Sequence, residues 1–385
     1  MQPGKFNIVT DGQWGSCGKG LITTALASKY RPELLTTTNM SNAGHTAVNV
    51  NGDRFIAKAL PSASMLNKWL PDYHPNIVVG PSAAFDLQQM LYEIDHCGVK
   101  DQTYIHGRAG VILDIHKQIE NNLEEGTKHV ASTMQGCGAF TAEKVMRKKG
   151  LKLARDYDIL NNFNIDRLNE LITKINPSHT DTDNEIMAVA IKTLLDNGYT
   201  ALHEGSQGFS LDINHGSHYP QCTSRSTTAT QNATDMGIGY STIGDIYLVI
   251  RPYPIRVGNV IENDVTVGHS GGCYVDHEEM TWEDVAKQAG APPEVMKGEL
   301  TTVTKRLRRV FSFSKKQVRD AVIVNGATKI ALNFANYIDW SCYGQNDYSK
   351  LPIKVIDFIS DVEDVAGIPV TIVGTGPQTD NVCFV

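Results

Sequence analysis

No apolar run in the chain approaches the ~20 residues that a membrane-spanning helix needs, and no short apolar core follows a basic N-terminus as in a secretory leader. There is no basic excess either: 35 Lys and Arg stand against 42 Asp and Glu, a net charge of −7. A nucleic-acid backbone is therefore not an expected partner, since surfaces that bind one carry positive charge. Internal repeats and low-complexity linkers are missing, which leaves one large domain over residues 1–385 as the simplest organisation. Cysteine is scattered and odd in number, seven in all. No disulfide framework is implied, and reduced thiols in a cytoplasm are expected.

What the chain does contain is an alternation of apolar runs and helical patterns. Phe6 to Thr10, Asn76 to Gly80, Thr103 to Gly107, Thr200 to Glu204, Ile246 to Ile250, Lys329 to Asn333 and Pro369 to Gly374 read as strands. Between them, Ala83 to His96 places Phe85, Met90, Leu91 and Ile94 on roughly one helical face. Asp183 to Asn197 repeats the pattern, with Gly198 as its C-cap. Strands spaced by helices predict an α/β fold around a mainly parallel sheet, with ligands at the carboxyl ends of the strands. Asp264 to Gly298 reads as an insertion. Its cluster Asp276-His277-Glu278-Glu279 is better explained as the acidic start of a helix than as a metal site.

The chemically loaded segment is Gly12 to Gly20, GQWGSCGKG, directly after the first strand. A strand, a glycine-dense turn and a helix beginning near Lys19 form a phosphate cradle, with backbone amides, a helix dipole and a lysine converging on an anion. It is not the ordinary P-loop. Five residues separate Gly12 from Gly18 where that motif has four, and Gly20 stands where a Ser or Thr hydroxyl would hold magnesium. Cys17 lies in this loop, where amides and Lys19 would lower its pKa, although a bystander role is favoured.

DGQWGSCGKGL resembles the GxQWGDEGKGK signature of adenylosuccinate synthetases, and further segments resemble that family in order along nearly the whole chain. They are Asn42-Ala43-Gly44-His45-Thr46 (NAGHT), Glu204-Gly205-Ser206-Gln207-Gly208 (EGAQG), Leu211 to Gly216 (LDIDHG) and Thr223 to Thr228 (TSSNTT). Thr302 to Arg309 resembles the TTGRxRR loop, and Gly374 to Pro377 resembles STGP. Singly, each has a plainer reading: His45 as a satisfied core group, Arg306 to Arg309 as a basic surface loop.

The resemblance implies a two-step ligation: a nucleoside triphosphate phosphorylates O6 of a 6-oxopurine nucleotide, and the amine of L-aspartate displaces that phosphate. By match to the family motifs, Gly15, Gly18, Lys19 and Gly20 hold donor phosphates, with Arg308, Asn336, Gly374, Gly376 and Pro377 around the donor nucleotide. Lys19 stabilises the transferred phosphoryl group, and His45 is the general acid. Gln207 bonds near the purine 6-position. Asn42, Thr133 and Thr223 contact the monophosphate, which Arg147 reaches across a homodimer interface. Val303, Thr304 and Arg306 belong to the aspartate loop, where a guanidinium fork suits a carboxylate. Magnesium falls to the Gly44 carbonyl and the Ser16 position.

Three departures from the family pattern bear on substrate. Ser16 replaces the family's aspartate, both magnesium ligand and base, and a serine hydroxyl is no general base near pH 7. Asp11, at the family's first glycine, is the nearest carboxylate in sequence, though proximity does not place it at the purine. Asn333-Phe334-Ala335-Asn336 stands where the family reads guanine with TKxD. An amide can both donate to and accept from adenine, and Phe334 can stack on the base or pack as core, so ATP or dATP is expected in place of GTP. Gln135 replaces the arginine of TTGRGIGP, so monophosphate contacts are expected to be rewritten.

A branch of the family carried by bacteriophages with 2-aminoadenine in their DNA has such a serine and acts on dGMP, and the chain resembles that branch. Ser16 leaves room for a 2-amino group, while the step from room to dGMP rests on the resemblance. The alternatives are an ordinary synthetase using IMP and GTP, and a nucleotide-binding pseudoenzyme. Retention of Lys19, His45, Gln207 and Arg306 speaks against the latter.

Overall fold

Phe6–Asp11 is buried at every residue, a pattern that only a strand covered on both faces produces. The computed structural model, which describes residues 1–122, 127–164, 167–175, 187–292, 294–301 and 305–385, places this strand at the centre of a nine-stranded sheet. In chain order the strands are β1 (Phe6–Asp11), β2 (Leu34–Thr37), β3 (Asn76–Val79), β4 (Thr103–Ile105), β5 (Ala201–Glu204), β6 (Ile243–Ile250), β7 (Lys329–Leu332), β8 (Val370–Gly374) and β9 (Val382–Phe384). Their order across the sheet is β9-β8-β7-β6-β1-β5-β2-β3-β4. Every pairing is parallel except β8 with β9.

Alternation along the central strands divides the core. Phe6 and Ile8 of β1 join Leu248 and Ile250 of β6 in one apolar cluster. Val9, Tyr247 and Val249 point into the cluster on the other face. The α/β expectation holds, and seven strands read from the sequence are present. Strands β2 and β9 went unread because Leu34–Thr37 and Val382–Phe384 are too short to show a period.

Helix α1 (Lys19–Tyr30) starts where the phosphate-loop pattern places it, and its residues Lys19 to Ala27 are buried without a break. A surface helix would show an apolar stripe, but α1 is covered on one side by the sheet and on the other by the hairpin His45–Val48/Arg54–Ala57. Helix α2 (Leu87–Cys97) begins four residues later than its periodicity suggests. Ala84 and Phe85 pair instead with Gly110 and Val111, and Asp86 caps the helix by accepting from Gln88 N and Gln89 N. The next helical pattern appears as Met187–Asp196, with Gly198 N donating to Leu195 O; residues 183–186 lie outside the described residues.

The stretch from Asp264 to Gly298 is stitched into the fold rather than looped out of it. Glu279–Met280 joins Arg309–Phe311 and Ile255–Arg256 in a three-stranded sheet, and the helix Trp282–Ala289 packs with Ile255 and Val310. The acidic cluster does not start its own helix, as expected, but divides its work. Asp276 accepts from Ser314 Oγ (2.6 Å) and Lys316 N (3.0 Å) at the start of the helix Lys315–Asn325. Glu279 pairs with Arg309, and His277 is buried against Trp14. Among the described residues no group of three His, Cys, Asp or Glu side chains is placed to hold a metal, and no helix is long and apolar enough to cross a membrane.

Where α1 meets the hairpin, a Cβ on Gly20 would lie 2.5 Å from the carbonyl oxygen of Thr46. The position that carries a hydroxyl in the ordinary P-loop is closed here by backbone. Gly20→Ser is therefore expected to destabilise the protein by about 1–3 kcal/mol, the usual cost of overpacking, read from urea unfolding beside the parent.

Candidate functional site

The carboxyl ends of β1 and β5 lie side by side, with Val9 opposite Glu204. The glycine-rich loop leaves the first, and EGSQG leaves the second. The loop closes around an anion of its own. The Asp11 carboxylate, fully buried, accepts through Oδ1 from Gln13 N (2.9 Å) and Gly15 N (3.2 Å). Its Oδ2 accepts from Cys17 N (3.0 Å) and Lys19 Nζ (3.2 Å). All of its acceptor capacity is turned inward, and it lines neither of the cavities described below. Asp11 is thus no stand-in for the carboxylate lost at Ser16.

Lys19 Nζ also donates to the Gln207 carbonyl (2.7 Å), tying the two loops together. Ser16 and Gln207 both hold positive φ, 58° and 62°, conformations that non-glycine residues keep only when their surroundings enforce them. Gly18 caps α1 at φ 85°, and a Cβ there would run into the Asn333 amide. Cys17 is buried, and burial, with Asp11 beside it, pushes its thiol well above the usual range. The lowered pKa that the sequence suggested is absent, because burial and the Asp11 carboxylate outweigh Arg251 and Lys19.

His45 opens a hairpin strand rather than sitting in a loop. Its Nδ1 lies 3.0 Å from Glu204 Oε1, an ion-pair distance without the in-line geometry of a hydrogen bond. Glu204 also accepts from Ser62 N (2.6 Å) and Ser62 Oγ (2.9 Å). Burial alone would raise its pKa, but His45 and the Ser62 donors more than offset this and hold it below the ordinary carboxylate value.

Two cavities meet here. One, of about 510 Å³, is lined by Gly15, Ser16, Gly18, Lys19, Gly20, Gly44 and His45 on one side, and by Arg308, Phe334 and Pro377 on the other. The second, of about 380 Å³, is lined by Thr223, Ser224, Glu120, Arg256 and the segment from Thr127 to Thr133. Trp14, Asn42, Thr133, Gln207, Leu211 and Val257 line both and form the shared wall. Asn42 brings a buried amide oxygen without a protein partner. Trp14 is held by His277 (ring centroids 4.9 Å), Phe311 (5.1 Å) and the Arg256 guanidinium (4.9 Å). Burial drives His277 down to about 4, so its imidazole is neutral at pH 7 and Arg256 carries the charge beside Trp14.

Several residues expected at the site lie elsewhere. Asn336 is buried in the turn after Phe334, Gly374 packs against Asn333 and Gly376 against Asn381; none of the three lines either of these two cavities. Arg306 donates to the carbonyls of Ala131 (3.0 Å) and Ser132 (3.3 Å), next to the second cavity rather than in its lining. Gln135 lines a separate surface cleft with Lys58, Asp86 and Lys117 and does not reach this cavity. Arg147 is exposed at φ 55°, just past the helix Cys137–Val145. Val303 and Thr304 lie outside the described residues.

Other residues at the site were missed. Arg54 enters the first cavity from the hairpin, whose Asn51-Gly52 turn is a legible signal. Arg251, completely buried, supports Ser16 and Phe334 from behind, and Glu204 backs His45; neither belongs to a motif that gives its role away. Glu120 accepts from Gly136 N (2.8 Å) and Gly138 N (2.6 Å) at the edge of the second cavity.

Two outcomes follow from these carboxylates. Asp11→Asn keeps the shape but turns an N–H₂ toward donors, and is expected to cost about 1.5–3 kcal/mol in urea unfolding. Glu204 has a folded pKa below its ordinary 4.5, so its contribution is present above that pH and lost as pH falls through the depressed value. Stability of Glu204→Gln should therefore fall less steeply on acidification than that of the parent, starting from a lower value at pH 7.

Comparison with known proteins agrees with this geometry. The family model described as adenylosuccinate synthetase matches residues 8–187 and 156–341. Adenylosuccinate synthetase of Methanocaldococcus jannaschii is 32% identical over 375 residues, spanning 96% of this chain and 94% of its own. That of a Pyrococcus species is 32% identical over 381 residues, 97% of each chain. Among solved structures, succinoaminodeoxyadenylate synthetase of cyanophage S-2L, bound to dGMP and to dATP as energy donor, superposes with a TM-score of 0.77. It is 28% identical and covers 99% of this chain and 95% of its own. The fully ligated enzyme of Plasmodium falciparum, at 19% identity and a TM-score of 0.74 over 99% and 100% of the two chains, shares the fold. With the family model spanning most of its length, the chain belongs to the adenylosuccinate synthetase family and is a purine nucleotide:aspartate ligase that depends on a nucleoside triphosphate.

Proposed function

We propose that this ligase joins L-aspartate to C6 of dGMP, with ATP or dATP as phosphoryl donor, through a 6-phosphoryl purine, and so yields N6-succino-2-amino-2′-deoxyadenylate. The observation that carries this reading is the side chain at Ser16, short and neutral where the family has an aspartate. Asp11 is committed to the loop, and Glu299, the carboxylate that lines this cavity, is held in a fork by Arg251. A purine with a 2-amino group has room beside a serine that it would not have beside an aspartate. Phe334, facing the first cavity where the family carries a lysine, offers an aromatic platform to an adenine base. The cyanophage enzyme, whose structure holds dGMP and dATP, supports the same pair of nucleotides.

In this reading the first cavity takes the donor. With the Gly15 and Cys17 amides taken by Asp11, the turn from Gly18 to Gly20 and the Lys19 side chain hold its phosphates, and Arg54 and Arg308 add charge at the rim. His45, backed by Glu204, delivers a proton toward the bridging oxygen of the donor as the phosphoryl group departs. The second cavity takes the monophosphate end of the purine nucleotide, with Asn42, Thr133 and Thr223 around its phosphate, and the base reaches across the shared wall at Gln207 toward Ser16. Arg306 would take the aspartate carboxylate beside it. The Ser16 hydroxyl and the Gly44 carbonyl are hard, neutral oxygen donors that suit magnesium when nucleotide phosphates supply the charge. Bound there, the metal would neutralise charge on the transferred phosphoryl group. We also infer a homodimer in which Arg147 reaches the partner's monophosphate. Its exposed setting between Met146, 68% exposed, and Lys148 fits such a reach.

The second reading, an ordinary synthetase using IMP and GTP, is favoured by the archaeal relatives, all described as adenylosuccinate synthetases at 30–32% identity. Phosphate release with L-aspartate and magnesium, crossing dGMP, GMP and IMP with ATP, dATP and GTP, separates the two. Turnover confined to dGMP and an adenine triphosphate is the expected result; turnover with IMP and GTP establishes the second reading. Ser16→Asp is expected to lower activity on dGMP without lowering it on IMP, and a gain on dGMP would remove the argument from room. Arg147→Ala should weaken binding of the monophosphate by about tenfold, roughly 1.4 kcal/mol, in titration calorimetry; unchanged affinity would exclude the cross-subunit contact.

A further inference from the structure

Arg251 follows β6 directly and is completely buried, an expensive place for a guanidinium unless several partners share it. Three of its contacts lead to three different parts of the site. Nη1 donates to the Ser16 carbonyl (3.1 Å), in the phosphate loop. Its guanidinium carbon sits 4.0 Å from the centre of the Phe334 ring, stacked beneath the face of the proposed donor-base platform. Both terminal nitrogens fork onto the Glu299 carboxylate, Nη1 to Oε2 at 3.2 Å and Nη2 to Oε1.

Glu299 in turn is the root of the segment that carries Arg306 and Arg308. Its carbonyl accepts from Arg308 N (2.9 Å), Leu300 bridges Leu307, and Thr301 N donates to Arg306 O (2.9 Å). Tyr337, three residues beyond Phe334, donates its hydroxyl to Glu299 Oε1 (3.2 Å), closing the circuit. Burial would raise Glu299, but the guanidinium beside it more than offsets this and keeps it a carboxylate, as the fork requires. The main chain of Arg251 is fixed as well: its N–H donates to Gln13 Oε1 (3.0 Å), and its carbonyl accepts from Gln13 Nε2 (3.1 Å). Arg251 is therefore held at both ends by the phosphate loop.

We infer that Arg251 is a positioning residue which locks the Phe334 platform, Ser16 and the Glu299–Arg308 segment into one unit, so that occupation of the donor site and use of aspartate are energetically coupled. A base settling on Phe334 presses on the plane beneath it. That plane is the same guanidinium that sets where Glu299 stands, and Glu299 and Thr301 are bonded through their backbones to Arg308 and Arg306. The inference rests on the proposed placement of the donor base at Phe334 and of aspartate at Arg306, and not on which purine or which donor base is used.

The test is a cross-effect, read with whichever nucleotides support turnover. Phe334→Leu is expected to raise the KM for the triphosphate and also the KM for aspartate, the latter by about fivefold or more, the lower end of ordinary site coupling. Glu299→Gln, which breaks the fork from the other side, should raise both as well. In an Arg251→Lys background, where the fork and the flat stack are lost, Phe334→Leu should shift the triphosphate KM alone. Melting temperatures of all variants separate these effects from general loss of folding, which would lower kcat without moving one KM through the other site. Should Arg251→Lys not fold, the same comparison in the Glu299→Gln background serves. A Phe334→Leu variant whose aspartate KM equals that of the parent overturns the inference.

Discussion

The phosphate loop of this protein is built around an anion that belongs to the chain. Three loop amides and the Lys19 ammonium converge on the Asp11 carboxylate, and the remaining geometry of the site depends on that convergence. It curls the backbone so that Ser16 stands at positive φ facing the first cavity. It also holds Lys19 between Asp11 and the Gln207 carbonyl, and so sets the distance between the two loops that flank the reaction centre. A loop of amides without such an anion would have to be organised by its ligand. Here most of that ordering is done before any nucleotide arrives, which lowers the conformational cost of binding.

Around that centre each buried charge is held by specific partners. Glu204 is set between His45 and Ser62, Arg251 between Glu299 and the Phe334 ring, and Glu120 against the amides of a helix start. Each of these contacts ties one segment of the chain to another. Such charges add little net stability compared with apolar packing, and their effect is to fix the loops in one arrangement relative to each other.

The sequence revealed the sheet better than its surroundings. Runs such as Phe6 to Thr10 and Ile246 to Ile250 are apolar because both faces are covered, and a buried strand can hardly be written otherwise. Leu34–Thr37 escaped because its two threonines are as buried as its leucines, their hydroxyls and backbone being satisfied within the fold. In the site, motif matches placed Lys19, His45, Asn42, Thr133, Gln207 and Thr223 on cavity walls. Asn336 lines neither cavity, because a motif gives the order of residues along a turn and not which of them faces inward. Phe334 at φ 61° reverses the chain, so that the ring faces the cavity and the amide two residues on does not. Arg251 and Glu204 were unreadable for another reason: their roles come from partners 48 and 159 residues away.

Trp14 has a consequence of a different kind. It is one of four tryptophans in the chain, it forms part of the wall common to both cavities, and its neighbours include a neutral histidine and a guanidinium. An indole emits according to the polarity and quenchers around it, so this ring is a native optical probe of either chamber. Filling one cavity and then the other would change its surroundings in two separable stages, making the order in which substrates load visible in light emitted by the protein itself.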